Sequence, residues 1–321
     1  MKKISIALCT HNGSRFLEDQ LNSILQQTRK PDEMIVCDDC SSDLTSKILD
    51  NFSKNAPFPC KTIFNERNLK PTKNFEKAIC HCTGDYIALS DQDDYWDPKK
   101  LQICEECLNN NEGLGAVFSN AHIVDSNMNY LGYTAWERFN FNNREQMAFR
   151  KGQSLEVLLK HYVVTGATMM FRTELRPYLV PIPKIWFHDA WIALIIASIS
   201  SLSFVPAPLL YYRQHRNNHL GGIRKSLFRQ ILEVRNLDRC KILGLEIERY
   251  KQLNHRVSNL IGNRSSSVSQ HLKEKVFHLE RRFAMPSNRL LRIPFIAREF
   301  FHNGYKKYSR NWGSIAMDAF F

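Results

Sequence analysis

The sequence predicts an α/β fold built on a mostly parallel, doubly wound sheet flanked by helices. Short β-favouring runs alternate with helical segments four times over the first third of the chain, the pattern of a parallel sheet with crossover helices. Several of those runs are apolar almost throughout, as strands covered on both faces are. Polar residues follow the strands directly: His11-Asn12 after the first, Asp38-Asp39 after the second, Asp91-Gln92-Asp93-Asp94 after the fourth. They converge on the carboxyl edge, where such sheets hold their ligands.

The elements follow in order. Ile4–Cys9 reads as a buried strand and Thr10–Gly13 as a turn. Phe16, Leu17, Leu21, Ile24 and Leu25 then fall at helical spacing, with Ser14 as the expected N-cap. Met34–Cys37 is the second strand, and Ser42 or Asp43 is expected to cap a helix over Leu44–Phe52. A third strand is expected at Lys61–Phe64, a loop at Asn65–Leu69 and a helix at Thr72–Cys82. Gly84-Asp85 turns the chain into the fourth strand, Tyr86–Leu89. Asp97 is an expected helix cap with Pro98 at the first helical position.

The second half is less regular. Leu114–Phe118 reads as a strand and Asn120–Asp125 carries the chain on beside the site. Tyr130–Arg150 is aromatic and polar without period, as a surface or acceptor-side loop would be. Leu155–Lys160 reads as a short helix. Val163–Phe171 reads as a strand carrying Gly166, a residue that suits close approach of backbone to ligand or a packing bend. His188-Asp189 opens an apolar helix, and there Asp189 is either a first-turn acid or a carboxylate fit to act as a base. From about Lys225 the composition turns basic, with Leu227, Ile231, Val234 and Leu237 at helical intervals. The stretch Arg289–Phe301, followed by Tyr305–Arg310, is basic and aromatic. It fits an anionic lipid interface, or a helix packed on the rest with a solvated basic face. The expected division is 1–223 and 224–321, the first part splitting near residue 120.

Composition narrows the classes. The chain has 321 residues, 43% hydrophobic and 24% charged, with a net charge of +12. These are values of a folded protein, and the basic balance suits nucleic acid, an anionic membrane or a phosphorylated substrate. Met1-Lys2-Lys3 leads straight into a strand, without a secretory leader, and nine scattered cysteines read as free thiols, so a reducing, cytoplasmic setting is expected. Cys104-x-x-Cys107 reads as buried small hydrophobes rather than a zinc site. No run reaches transmembrane length, so any membrane contact would be peripheral. Neither GxGxxG nor GxxxxGK[ST] is present, which argues against a dinucleotide oxidoreductase or a P-loop NTPase.

The acidic cluster is the strongest chemical signal. Three carboxylates within four positions repel one another unless a cation neutralises them. Mg²⁺ and Mn²⁺ do so well, taking one or two carboxylates plus substrate phosphates. A solvated acidic turn before a helix is the competing reading of this segment alone.

Taken together, six segments resemble family 2 inverting glycosyltransferases of the GT-A (Rossmann-like) fold: Ile6–Gly13, Ile35–Asp43, Asn65-x-x-Asn68, Thr83–Asp94, His188–Trp191 and Tyr212–His215. Gln92 within the acidic motif, with the last two segments, is similar to the rhamnosyltransferase-like subgroup of bacterial surface polysaccharide (O-antigen or capsule) biosynthesis. The resemblance implies a GT-A catalytic domain over 1–223, with a nucleotide-sugar half and an acceptor half, and a C-terminal helical extension. It implies a dTDP- or UDP-sugar donor, a saccharide or lipid-linked acceptor, and Mn²⁺ or Mg²⁺. By the same resemblance, Asp39 would accept from the pyrimidine, with Cys9, Thr10, His11, Asn12, Asn68, Lys73, Asp91 and Gln92 around the nucleotide. Asp93 would be the direct metal ligand, with Asp91 and His215 beside it. Arg213 and His215 would reach the diphosphate, and Asp189 would be the general base. Members often carry Tyr at the position of His11 and Gly at that of Cys40. Two other classes stay open: a sugar-phosphate nucleotidyltransferase, and a basic nucleic-acid binder that carboxylates at the site argue against.

Overall fold

The structure, a computed structural model, describes residues 2–215, 238–261 and 266–320. The described residues divide into two compact units: 2–147, 163–196 and 200–215 form the first, and 148–162, 197–199, 238–261 and 266–320 the second.

In the first unit, β1 (Ile4–Thr10), β2 (Glu33–Asp38), β3 (Cys60–Phe64) and β4 (Tyr86–Ser90) alternate with α1 (Leu17–Leu25), α2 (Thr45–Asn55) and α3 (Lys70–His81). β5 (Tyr95–Trp96), β6 (Leu114–Val124), β7 (Tyr130–Thr134), β8 (Met169–Arg172) and β9 (Ser201–Arg213) complete the sheet, and the unit also holds α4 (Lys100–Asn109) and α8 (Arg176–Leu179). The strand order is β3-β2-β1-β4-β8-β6-β9-β5, with β7 on β6. β3, β2, β1 and β4 run parallel. Beyond β4 the sheet is mixed: β8 is antiparallel to both β4 and β6, β9 is parallel to β6, and β5 and β7 are antiparallel to their neighbours. The expected mostly parallel sheet is present, with its antiparallel pairings confined to the strands beyond β4.

Register places the site. Thr10 pairs with Asp38, which pairs with Phe64, and Leu8 pairs with Ser90. The polar segments after β1, β2 and β4 therefore leave the sheet side by side. β1, β2 and β4 are buried along nearly their whole length, which fixes these exits against a rigid, close-packed base.

Local expectations are corrected at five places. Ser14 does not cap α1; the Gly13 carbonyl accepts from Phe16 N and Leu17 N instead, both at 3.0 Å. Asp97 turns the chain by accepting from Lys99 N at 2.8 Å, and α4 begins only at Lys100, beyond Pro98. Tyr130–Arg150 is not a loop: it holds β7, α5 (Ala135–Phe139) and α6 (Asn143–Arg150). Thr134 and Glu137 form a reciprocal capping box at the start of α5. Val163–Phe171 is not one strand, since Gly166–Thr168 forms a 3₁₀ turn before β8. α2 carries no side-chain N-cap bond, though Asp43 accepts from Thr45 N at 3.0 Å just ahead of it.

The second unit contains α7 (Ser154–Leu158), and helices α10 (Arg239–Ile261), α11 (Ser266–Phe283), α12 (Ile293–Phe301), α13 (Gly304–Tyr308) and α14 (Trp312–Phe320). Its centre is charged. Asp318 is fully buried and receives Arg239 Nε at 2.9 Å, Arg282 Nε at 2.6 Å and the Tyr305 hydroxyl at 2.7 Å. A buried carboxylate with that many donors stays ionised, and removing any partner would leave a costly orphan. The helical stretch expected around Leu227–Leu237 lies outside the described residues.

Candidate active site

The turn after β1 and the turn after β2 are laced together. Asp38 accepts from Thr10 Oγ1 (2.7 Å) and from Ser41 N and Oγ (2.9 and 2.6 Å). Asn12 N donates to Ser41 Oγ (2.9 Å), and Asn12 Oδ1 accepts from Ser42 N (2.8 Å). Asp39 reaches the other way. Its carboxylate accepts from Asn65 Nδ2 (2.9 Å), Leu69 N (2.6 Å) and Lys70 N (2.9 Å), which draws the β3–α3 loop onto the β2 exit. The His11 ring nitrogen Nδ1 lies 2.7 Å from the Asp39 carbonyl, and Asn68 Nδ2 lies 3.4 Å from His11 Nε2.

Backbone strain gathers here. Asn12, Cys40 and Lys70 have φ of 48°, 59° and 69°. Such conformations cost about 1 kcal/mol or more for a non-glycine residue and cluster where function over-determines the backbone. Lys70 is held in place by Asp39 and by Asn68 Oδ1 (3.0 Å). The left-handed backbone at Cys40 is one that glycine would adopt without steric cost.

The acidic loop is tied to the β1 turn from one side. Gln92 Oε1 accepts from His11 N (2.8 Å) and Gln92 Nε2 donates to His11 O (3.0 Å). Gly13 is required beneath that amide, because a Cβ there would overlap Gln92 Oε1. From the other side Arg213 on β9 holds the loop: its N donates to Asp94 Oδ1 (3.2 Å), its Nε to Asp93 O (3.0 Å), its Nη1 to Ser126 O (3.0 Å) and its Nη2 to Asp19 Oδ2 (2.7 Å). The guanidinium also lies 4.4 Å from the Phe16 ring centroid. From below, Gln20 on α1 orients its amide to donate to Asp94 O (2.7 Å) and accept from Ser90 Oγ and Trp96 Nε1.

Within the loop, Asp93 Oδ2 meets His215 Nε2 at 2.7 Å. The His215 ring rests on Phe16 at 4.9 Å between centroids. Asp91 is pushed up to about 8, by burial first, then by Asp93 and Asp189. Asp94 is also raised, by burial and then by Asp93 and Asp91, and its Oδ2 is buried without a hydrogen-bond partner among the described residues. Uncompensated negative charge of this kind suits a hard cation. Asp93 and His215 supply two converging ligand atoms; among the described residues no group of three or more His, Cys, Asp or Glu side chains converges. Two protein ligands suffice for Mg²⁺ or Mn²⁺ where substrate phosphates complete the shell, so the residues present fit such an ion.

Asp189 sits in the first turn of α9 (His188–Ile199), buried, with Oδ2 accepting from Gly166 N at 3.2 Å. A Cβ on Gly166 would stand 2.8 Å from His188 Nε2 and 3.3 Å from Asp189 Cβ. This glycine is thus a close approach of backbone to the Asp189 turn. His188 stacks on Phe75 at 3.9 Å. Asp189 is among the charges that raise Asp91, so β4 and α9 present carboxylates to a common space.

The sequence-derived set is brought together in part. Thr10, His11, Asn12, Asp39, Asn68 and Gln92 form one hydrogen-bonded lattice at the β1, β2 and β3 exits, and Cys9 is buried beneath it within electrostatic reach of Asp91 and Asp39. Lys73 stands apart, paired with Glu76 at 2.7 Å. Arg213 is only 2% exposed. Its guanidinium is engaged by Asp93 O, Ser126 O and Asp19, which makes it a tether for the acidic loop.

Lys100 was not foreseen. It is 1% exposed, donates its ammonium to the Ala167 carbonyl and lies 3.4 Å from a Trp96 ring centroid. Burial pushes it down to about 7, against the opposing pull of Cys104, Asp94 and Asp91. The second lysine of Lys99-Lys100 looks solvated in sequence; only the packing of α4 beneath the acidic loop turns it inward.

The Glycosyl transferase family 2 model matches residues 5–177. The dTDP-rhamnosyl transferase RfbG of Shigella flexneri is 27% identical over 243 residues, 71% of this chain and 79% of that protein. An uncharacterized glycosyltransferase of Nostoc sp. is 27% identical over 233 residues, 68% of this chain and 67% of its own. Among solved structures, S. aureus TarS in complex with UDP-GlcNAc aligns over 98% of this chain and 90% of its own, with a TM-score of 0.56 at 17% identity. The mannosyltransferase PcManGT of Pyrobaculum calidifontis, in complex with GDP-Man and Mn²⁺, covers 99% of this chain and 84% of its own, with a TM-score of 0.58 at 15% identity. The fold is that of the GT-A glycosyltransferases, and with its family match spanning both the nucleotide-side strands and the acidic loop, the chain belongs to glycosyl transferase family 2.

Proposed function

We propose that the chain transfers a sugar from a nucleoside-diphosphate sugar to a saccharide hydroxyl with inversion, in assembly of a cell-surface polysaccharide such as O-antigen or capsule. dTDP-rhamnose is the first donor to test, since RfbG carries that activity in its name, with UDP-sugars next. A lipid-linked acceptor at the inner face of the membrane fits the basic charge; among the described residues no helix is long and apolar enough to cross a membrane.

The observation that carries this reading is the placement of Asp189. It is buried, oriented by the Gly166 N–H at 3.2 Å, and close enough to Asp91 to raise its affinity for protons. In a single displacement, Asp189 takes the proton of the acceptor hydroxyl as that oxygen bonds to the anomeric carbon, and the nucleoside diphosphate leaves from the opposite face. Asp39, with Cys9, Thr10, His11, Asn12 and Asn68, forms the base and ribose side, and Gln92 holds that side to the acidic loop. Asp93 and His215, with Asp91 beside them, are the residues that would hold Mn²⁺ or Mg²⁺; when bound, such an ion supplies neutralisation of charge on the diphosphate.

The test is release of nucleoside diphosphate from a panel of nucleotide sugars, with and without Mn²⁺, for the native chain and Asp189→Asn. Donor binding, read as a thermal shift, should persist in Asp189→Asn while transfer is lost. Transfer at the native rate by Asp189→Asn would remove Asp189 as the base. Pyrophosphate formed from a nucleoside triphosphate and a sugar phosphate would replace the reading with a nucleotidyltransferase.

A further inference from the structure

The helix α12 is built inside out. Its buried carboxylate, Glu299, lies 2.6 Å from His278 Nδ1 and is ion-paired with Arg281 Nε at 2.6 Å. Gly304 makes room for that pair, because a Cβ there would overlap the Glu299 carboxylate. The apolar residues of the same segment face outward. Leu290 is 76% exposed, Ile293 61% and Phe301 79%, and Leu291 and Phe295 are exposed with them. Trp312 at the start of α14 is 69% exposed and lies 6.0 Å from the Phe300 ring centroid. An ordinary surface helix turns its apolar stripe to the core, and scattered single apolar residues would need no explanation. Six exposed large apolar side chains between Leu290 and Phe301, on a segment that buries its acid, do need one.

The outward charges of this segment have one sign, although Glu274 on α11 accepts from the Tyr308 hydroxyl and interacts with Lys307. From residue 289 to 320 the only acids are Glu299 and Asp318, and both are buried in ion pairs. Arg289, Arg298, Lys306, Lys307 and Arg310 are all exposed. We infer that the α12–α14 face of the second unit docks on an anionic lipid surface, with Leu290, Ile293, Phe301 and Trp312 entering the interface and the five cations meeting lipid phosphates. Aliphatic and aromatic side chains in the acyl boundary, ringed by Lys and Arg, are the two contributions that hold an interfacial helix. A second copy of the chain fits worse, since a twofold contact would set these like charges against their own images. This inference names the surface behind the membrane-side reading above; vesicle binding reads no sugar transfer, so the two fail separately.

The experiment is co-sedimentation of the whole chain with vesicles of phosphatidylcholine alone and of phosphatidylcholine mixed with phosphatidylglycerol. Binding to the mixed vesicles, weakened by salt, is expected, with little binding to the neutral ones. The double variant Ile293→Glu/Phe301→Glu should lose at least tenfold in vesicle binding, and Lys306→Glu/Lys307→Glu several-fold. Neither should shift the thermal midpoint, because all four side chains are exposed. Equal binding to both vesicle types, no binding to either, or native-level binding by both variants would overturn the inference. So would a stable dimer that Ile293→Glu/Phe301→Glu dissolves.

Discussion

Gln92 grips the His11 peptide at both polar ends of its amide, accepting from His11 N at 2.8 Å and donating to His11 O at 3.0 Å. Glutamate keeps the acceptor but loses the donor, and adds a fourth carboxylate to the loop. Gln92→Glu is expected to raise the donor KM about tenfold, equivalent to about 1.4 kcal/mol, with a smaller effect on kcat. Gly13→Ala should give the same phenotype through the displaced amide. Steady-state kinetics with a saturating acceptor checks both.

Arg213 distinguishes a tether from a ligand contact. Lysine keeps the charge but not the planar fork. Because the guanidinium is buried against Asp19, Ser126 and Asp93, Arg213→Lys should destabilise the protein by about 2–4 kcal/mol. A melting curve reads this directly. An unchanged midpoint with a raised donor KM would return Arg213 to the diphosphate.

Lys100 couples two parts of the site. Its ammonium is bonded to the Ala167 carbonyl, and the neighbouring Gly166 N–H orients Asp189. Lys100→Met leaves that carbonyl without its donor, at about 1–3 kcal/mol of stability. kcat should fall more than the donor KM rises, since the disturbed turn belongs to the base rather than to the nucleotide side.

Asp91 gives the metal-free protein a pH signature. A carboxyl raised to about 8 favours the protonated state. Its contribution to stability is present below the unfolded value near 4 and is lost as pH rises through 8, at no more than about 1.4 kcal/mol per pH unit. The melting midpoint of chelator-treated protein should therefore fall from pH 6 to 8.5, and Asp91→Asn should flatten the slope. Adding Mn²⁺ with nucleoside diphosphate should restore stability most at the alkaline end.

The nucleotide half was legible because each strand announced itself by burial and each exit by a polar cluster. β1 through β4 and α1 through α3 begin and end within a few residues of expectation. The rest is decided by contacts remote in sequence. Val163–Phe171 has strand composition, yet Gly166 must fold into a 3₁₀ turn to pass the His188-Asp189 turn. The Thr134-x-x-Glu137 spacing that starts α5 was present in the sequence and went unread among aromatic residues without period. Nothing local in the sequence shows that Asp19 and Ser126 receive the Arg213 guanidinium. The left-handed Cys40 and Lys70 are likewise set by Asp39 and its loop, not by their own side chains.

The reversal of β8 between β4 and β6 has a consequence for how the chain is made. β4 receives its outer neighbour only when Tyr86 pairs with Arg172, and β5 only when Tyr95 pairs with Tyr211. A nascent chain therefore carries the fully buried strand Tyr86–Ser90 as an open edge until β8 has emerged. Open apolar edges recruit other strands, and late non-local pairing is slow. Expression of residues 1–125 alone, the segment with every nucleotide-side motif, would yield an aggregating half-sheet. Residues 1–125 and the strands β8 and β9 that complete their sheet are consequently one folding event.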